Sequence, residues 1–469
     1  MIWKTIEIGD NMDTLDYAKT PGDTSWFVRD RFGLFIHFGL YSLPARKEWV
    51  MRLENIHPDE YEKYFKHFNP DLYDPNLWAD LAYNAGMKYY VVTTRHHEGF
   101  SLWDTKYSEY KSTNTPYGKD LLHPMVDAFR SRGLKTGFYY SLLDWYHPDY
   151  IIDYFHPLCD LPKEEVLAMN AKRCQANYNK FMRDQLTELC TEFGKIDVFW
   201  FDFEYGISYE DHNSIVEPYV KNCPYLTGKW AKDFECKELI DLVRKYQPDT
   251  VIDKRFNIYD DTGKVIDYSD FIAMEQIILE EAPRNEKGER IPWEICMTFS
   301  GYYGYDRDEI KWKTTKQVLN SLIKIVAKGG NFLLNVGPTG RGEFDERAVR
   351  ILKEIGEWMK YNNQSIYGCG EPPKGIEACE GTALTYNPEK NRLYVHLLDY
   401  PELGCAFVKG ITGKVEYAQF LHDKSETRIN YMPGQVGEVP PSNKELVFFN
   451  VPIQKPNVEI PVIEVFLKS

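Results

Sequence analysis

A parallel (β/α) barrel of the TIM type followed by an antiparallel β-sandwich is the fold this chain predicts. Apolar runs of strand length alternate with amphipathic runs of helix length as far as about residue 364, the signature of repeated βα units. Beyond that point only short, alternating strands follow. Polar residues close many of the apolar runs instead of interrupting them, as they do where barrel strands deliver side chains to one face. The division is therefore a barrel over 1–364 and a sandwich over 365–469.

Each element follows in order. GLFIHFG at 33–39 reads as the first strand, with His37 inside it. NLWADLAYNAGMKYYVVTTRHHEGF predicts a helix over about 76–85, a C-cap at Gly86 and a strand ending at His96 and His97. MVDAFRSRGLKTGFYYSLLDW repeats the pattern, with Gly133 stopping the helix and a strand over 138–141. A long helix over 170–193 feeds the strand that ends at Asp202. CKELIDLVRKYQPDTVIDKRF reads as helix, turn at Pro248 and strand. DFIAMEQ and WEICMTF are two further strands, and VLNSLIKIVAKGGNFLLNVGP supplies another helix and strand. Helix 345–361 places Val349, Leu352, Ile355 and Met359 on one face, the spacing of a helix packed on a sheet. TALTYNPEKNRLYVHLL then reads as two strands around a PEKN turn, and KVEYAQFL, ELVFFNVP and VIEVFL continue in that style. Polar insertions at 203–234 and 277–292 lie between barrel elements, where they would shape the mouth of a site.

A chain of 469 residues has room for both units. Its 11 Trp and 34 Tyr suit either a large core or surfaces that stack on the C–H faces of sugars, and composition does not choose between these. The net charge of -15 excludes nucleic acid and an anionic membrane as partners, since phosphate binding needs concentrated Lys and Arg. Nine cysteines, odd in number and without a CxxC, read as reduced thiols. MIWKTIEIGDNMD has no basic segment leading into an apolar run, which predicts a cytoplasmic protein, or a secreted one if a leader has been removed. A homo-oligomer stays open.

Asp202 is the most informative residue. It is a lone carboxylate closing the apolar, aromatic run VFWFD, and barrel strands open into the active site at their C-terminal ends. A helix N-cap is the ordinary alternative. His37, Glu48, Trp49, His96, His97, Tyr139, Arg255 and Glu275 lie at or near other strand ends, so together they predict a dense polar constellation. Adjacent His96 and His97 would point to opposite sides of a regular strand, and HExxH is absent, so neither metal nor cofactor is expected. Ser141 with the histidines suggests a serine hydrolase, but no GxSxG accompanies it. Paired carboxylates in an aromatic-lined barrel fit glycoside hydrolysis better.

RFGLFIHFGLYSLPA, KEWV, TTRHHEGFSLWDT, GFYYSLLDWYHP, VFWFD, WEICMTFSGYYGY and KGGNFLLNVGPTGRGEF resemble, in order, the signatures of the α-L-fucosidases of glycoside hydrolase family 29. The resemblance runs over roughly residues 24–367. It implies a retaining exo-α-L-fucosidase that releases terminal α-L-fucosyl residues from glycans through a fucosyl-enzyme, with 1–364 as the catalytic unit. It also implies Asp202 as nucleophile and His37, His96, His97, Tyr139, Glu48 and Trp49 as the groups holding the sugar hydroxyls. Arg255 would lie beside the nucleophile and keep it ionised, and Phe35 and Tyr303 would surround the fucose methyl. For the acid/base, Glu275 is the first choice, Glu294 the rival, and Glu280 and Glu281 the remainder. An aromatic setting is expected to keep Glu275 protonated. Phe38 and Tyr303 stand where tryptophan is commoner, which predicts a pocket wall of different size. The alternatives are a glycosidase for a related sugar such as galactose, and a catalytically inert fucose-binding lectin.

Overall fold

The computed structural model describes residues 17–202, 217–260, 262–402, 404–431 and 446–468. The N-terminal stretch MIWKTIEIGDNMD and the first part of the predicted insertion, 203–216, lie outside the described residues. Eight parallel strands form the first unit: β1 Phe32–Ile36, β2 Tyr89–Arg95, β3 Lys135–Ser141, β4 Val198–Asp202, β5 Val251–Ile252, β6 Ile272–Glu275, β7 Trp293–Thr298 and β8 Asn331–Val336. Their order is β5-β4-β3-β2-β1-β8-β7-β6. A parallel bridge between Asp253 and Phe271 joins the two ends of the sheet, with Lys254 N donating to Phe271 O at 2.8 Å and Asp270 N to Ile252 O at 2.7 Å. The sheet is thus closed, which leaves no exposed barrel edge.

Period-two alternation decides what enters the barrel. On β4, Val198 and Trp200 join an interior cluster with Phe35, Tyr89, Val91, Tyr139, Phe271 and Cys296, while Phe199 and Phe201 face outward into the core beneath the helices. Asp202 continues the inward series. Both faces of these strands are buried, which is why they read as near-continuous apolar runs.

Helices cover the outside, among them α1 Pro75–Asn84, α2 Leu122–Ser131, α3 Gln175–Glu192, α4 Cys236–Tyr246, α5 Thr315–Val326 and α6 Glu346–Asn362. Asp74 caps α1 by accepting from the amides of Asn76 and Leu77, with Pro75 at the first turn, and Thr314 with Gln317 forms a capping box on α5. Gly86 and Gly133 follow α1 and α2 with φ of 86° and 75°, the left-handed turn that glycine accommodates best. Among the described residues no helix connects β5 to β6 or β6 to β7. The N-terminal segment crosses that flank instead, with Tyr17 bridged to Arg290. Phe27, in a short helix, plugs the bottom of the barrel beside Tyr89 and Phe271 and accepts from Asn331 Nδ2 at 2.9 Å.

Several boundaries differ from expectation, among them the start of β3, at Lys135 and not 138. β1 ends at Ile36, so His37 stands just beyond the strand, and β2 ends at Arg95, short of His96 and His97. The long helix begins at Gln175, after a separate helix Lys163–Asn170, because Arg173 turns away to donate to the carbonyls of His147 and Tyr150.

The second unit has two four-stranded antiparallel sheets. With β9 Glu377–Ala378, β10 Thr382–Asn387, β11 Arg392–Leu397, β12 Cys405–Lys409, β13 Val415–Phe420, β14 Ile429–Tyr431, β15 Leu446–Asn450 and β16 Val462–Leu467, the orders are β9-β12-β15-β14 and β10-β11-β16-β13. Inward residues of both sheets, among them Leu393, Val395, Val408, Val447, Phe449 and Val465, make its own core. It rests on the outside of the barrel, where Trp358 Nε1 of α6 donates to Ile460 O at 2.8 Å and Thr385 Oγ1 to Ser365 O at 2.7 Å.

Candidate active site

At the C-terminal ends of the barrel strands lies a cavity of about 440 Å3. Phe35, His37, Glu48, Trp49, His96, His97, Tyr139, Asp202, Arg255, Glu275 and Tyr303 all line it, and among the described residues none of the sandwich does. Of the candidates named from sequence, Glu294, Glu280 and Glu281 are absent from its wall.

Asp202 is held at both oxygens. Tyr139 donates its hydroxyl to Oδ2 at 2.7 Å, and Arg255 Nη2 donates to Oδ1 at 2.7 Å. Ser141 and Asp202 are register partners on β3 and β4, so Tyr139, two residues back on β3, projects into the barrel on the same side as Asp202. Burial beside this carboxylate drives the Tyr139 hydroxyl far above the usual phenol range, so it remains a donor.

Arg255 does not belong to Asp202 alone. The same Nη2 donates to Glu275 Oε1, also at 2.7 Å. The two carboxylate oxygens are therefore no farther apart than twice that length, an upper bound compatible with the close carboxyl pair, about 5 to 5.5 Å, of a retaining glycosidase. Glu275 Oε2 accepts from Tyr303 Oη at 3.0 Å, so polar donors hold the carboxylate where an aromatic setting was expected. Trp200, two residues before Asp202, lies under the guanidinium, with Arg255 Cζ 4.8 Å from its ring centroid.

The histidines are neutral hydrogen-bonding groups. Burial pushes His37 down to about 3 and holds His96 and His97 well below the usual imidazole range. Ser141 Oγ donates its single proton to Leu143 O at 2.9 Å, so at 2.6 Å from His97 Nδ1 it can only accept. That fixes the His97 tautomer with its proton on Nδ1 and leaves Nε2 as an acceptor, 3.8 Å from Asp202 Oδ2. Asn335 likewise donates through Nδ2 to Tyr303 O at 2.7 Å and offers Oδ1 to His37 Nδ1 at 2.6 Å, leaving His37 Nε2 as an acceptor. Such lone pairs suit sugar hydroxyls. His96 and His97 do not point apart: they line the same cavity with ring centroids 4.0 Å from each other. Strand alternation fails because the β2–β3 register shifts between Thr93 and Arg95 and both residues lie past the strand.

Glu48 shapes the opposite wall. Its Oε2 accepts from the amides of Tyr303 at 3.1 Å and Gly304 at 2.7 Å, and burial raises its pKa. Gly304 is required by this approach, since a Cβ there would sit 2.5 Å from Glu48 N. Trp49 packs edge-on against His97 at 5.2 Å.

Glu294 lies deeper. Ala273 pairs with Glu294 and Glu275 with Cys296, so Glu294 sits two residues below Glu275 on the neighbouring strand. It is 1% exposed, accepts from the Tyr89 hydroxyl and from Trp200 Nε1 at 3.3 Å, and burial pushes its carboxyl up to about 7. Gly33 makes room for the Tyr89 ring, whose Cζ would lie 2.5 Å from a Cβ. Glu280 and Glu281 are exposed. Phe38 does not line the pocket as expected. It faces outward against Phe68, Tyr73 and Trp78, because it is an even step from Ile36 on the outer face.

Sequence reasoning missed Trp200, Cys296 and Asn335 as parts of the site, and it gave Ser141 a nucleophile's role to be weighed rather than a supporting one. Period-two counting back from Asp202 would have found Trp200. Asp253 was also missed: fully buried, it accepts from Phe201 N at 2.9 Å, and burial raises it well above the carboxylate range.

The Alpha-L-fucosidase family model matches residues 5–364. The structure of Alpha-L-fucosidase isoenzyme 1 from Paenibacillus thiaminolyticus superposes with a TM-score of 0.82 at 38% identity, covering 95% of this chain and 99% of that one. A Bacteroides thetaiotaomicron α-L-fucosidase of glycoside hydrolase family 29, captured as a trapped covalent intermediate with 2-fluoro-fucosyl fluoride, gives a TM-score of 0.73 at 25% identity, covering 97% and 99%. The Alpha-L-fucosidase of Dictyostelium discoideum is 26% identical over 99% of this chain and 95% of its own length.

Proposed function

The chain belongs to the α-L-fucosidase family of glycoside hydrolases, and from that premise we propose which residues divide the work of its retaining double displacement. The enzyme is an α-L-fucosidase that proceeds through a covalent fucosyl-enzyme. Asp202 attacks the anomeric carbon of a terminal α-L-fucosyl residue while Glu275 gives its proton to the departing glycosidic oxygen. Glu275 then takes a proton from water, which attacks the same carbon and frees Asp202 with net retention.

The observation that carries this assignment is the single Arg255 nitrogen shared at 2.7 Å by both carboxylates. Before attack, Asp202 is the anion and Glu275 carries the proton. Once the ester has formed, Asp202 is neutral and Glu275 is the anion. One guanidinium thus faces one negative charge at each stage, and the charge moves between oxygens that it already touches. Little reorganisation is needed, which is how preorganised electrostatics lowers a barrier.

The His37 and His97 acceptors, Glu48 and Trp49 hold the sugar hydroxyls, and Phe35 and Tyr303 flank the methyl carbon. The same ring pair supports fucose over galactose, whose extra hydroxyl would meet an apolar wall. The barrel, 1–364, carries the reaction, and the sandwich, 365–469, braces α5 and α6. The substrate is a fucosylated glycan. Nine free cysteines favour a reducing compartment, the cytoplasm. Among the described residues no helix is long and apolar enough to cross a membrane.

The test is hydrolysis of an aryl α-L-fucoside with azide added. Asp202→Ala should yield β-fucosyl azide by one inversion, and Glu275→Ala should yield the retained α-azide. Retained azide from Glu294→Ala, with none from Glu275→Ala, would transfer the acid/base role to Glu294.

A further inference from the structure

Away from the cavity, two thiols meet from segments 64 residues apart. Cys159 sits on the short turn Pro157–Asp160 that follows β3, and Cys223 follows the helix Glu217–Asn222 in the connection that leaves β4. Cys223 Sγ donates to Cys159 O at 3.0 Å, and the two sulfurs reach the same Asp160 Oδ1 at 3.6 and 3.7 Å. Both sulfurs and that carboxylate lie within 4.8 Å of one another. We propose that Cys159 and Cys223 are a dithiol modification site that closes to an intramolecular disulfide in the presence of a low-molecular-weight disulfide such as oxidised glutathione.

Two features favour a disulfide over a bound cation. Arg52 Nη2 donates to Cys159 Sγ at 3.2 Å while its Nη1 holds Asp160 Oδ2 at 2.9 Å. A guanidinium in that place favours a thiolate within the pair, in which contact with Cys223 and burial push the Cys159 thiol up and contact with Cys159 lowers the Cys223 thiol. It also occupies the charge a divalent ion would use, because the only carboxylate of the group is already ion-paired. Arg52 is itself buried, so the cation is a fixed part of the site.

Cys223, the more acidic thiol of the pair, attacks one sulfur of oxidised glutathione as the thiolate, and the expelled glutathione thiolate takes up a proton. Cys159 then gives up its S–H proton, attacks the Cys223 sulfur of the mixed disulfide and releases the second glutathione. The protein is oxidised by two electrons and one glutathione disulfide is reduced to two thiols. Both sulfurs are buried, so local opening limits the rate and the reaction is slow. The product ties the β3 and β4 connections together beside Arg52, three residues along the chain from Trp49 in the cavity wall. This holds independently of which glutamate is the acid/base.

The test uses the whole native protein, incubated with oxidised glutathione, alkylated and digested without reductant. Expected is a linked pair of peptides containing Cys159 and Cys223, about 2 Da lighter than their sum, lost on reduction and absent from Cys223→Ser. Closing a loop of this length should also raise Tm by several degrees in the wild type and not in Cys223→Ser. Glutathione left on either cysteine without the link, or both thiols remaining reduced while exposed Cys174 reacts, would overturn the proposal. So would retention of one equivalent of zinc by the reduced wild type and its loss in Cys223→Ser, which would make the cluster a metal site.

Discussion

Glu275 and Glu294 stand on adjacent strands, both facing the barrel axis, two residues apart in height. At the upper level Glu275 meets a guanidinium, a phenol and solvent, with 37% of its side chain exposed. At the lower level Glu294 meets a phenol and an indole and is closed off from water. The contrast teaches that depth, more than residue type, sets what a barrel carboxylate does. Near the rim it can exchange a proton with substrate and water, whereas below it burial favours the neutral form and makes it a brace.

The strongest way to break this contrast is substitution at each level. Glu275→Ala should lower kcat by about 10³-fold on fucosides with poor leaving groups, within the span of general acid catalysis, while Glu294→Gln should stay within about threefold by the same assay. Equal losses at both positions would erase the distinction.

Arg255→Met sharpens it next. It removes the cation that serves both upper carboxylates and leaves the lower level untouched, so kcat should fall roughly 10²-fold. Pre-steady-state kinetics should find formation and hydrolysis of the fucosyl-enzyme both slowed. A defect confined to one step would show that Arg255 serves only one carboxylate.

Ser141→Ala should have a smaller effect, of about tenfold, the scale of one lost orienting hydrogen bond. Freed from Ser141, His97 can move its proton to Nε2 and lose the lone pair aimed at the sugar, so the loss should appear in KM more than in kcat. Imidazole nitrogen shifts in an NMR spectrum would register the change of tautomer. An unchanged spectrum together with unchanged KM would dismiss the role.

The smallest effect on activity and the clearest on stability belongs to Glu294. Its folded-state pKa of about 7 lies above the ordinary value of 4.5, so the folded protein holds this proton more tightly than the unfolded chain. The associated stability is fully present below about pH 4.5 and is lost as pH rises through about 7, a difference of roughly 3 kcal/mol. Denaturant unfolding of wild type and Glu294→Gln at pH 5 and pH 8 should therefore diverge, the variant losing less stability on going to pH 8. Parallel losses would place the buried proton elsewhere.

Much of this organisation was legible in the chain. VFWFD, GFYYS and NFLLNV announce buried parallel strands because both faces are apolar, and Asp202 and Tyr139 from the first two line the cavity. Asp202, Tyr139 and Arg255 were recognisable for that reason. The placement of His96 and His97 was not, since alternation holds only inside a strand and both lie beyond β2. Phe38 was misjudged although alternation from Ile36 already turns it outward. Asn335 and Trp200 escaped notice, as did the supporting role of Ser141, because these roles consist in contacts with residues on other strands.

By itself the sequence determined the barrel and sandwich, the family, and which residues within the strands face inward, because a strand's period of two is a local property. Only the tertiary structure decided height. Register between β6 and β7 sets Glu275 level with Cys296 and Glu294 below it, and the fold around β5 brings Arg255 against two carboxylates at once. Those relations depend on pairing between distant segments, and no periodicity within one segment encodes them.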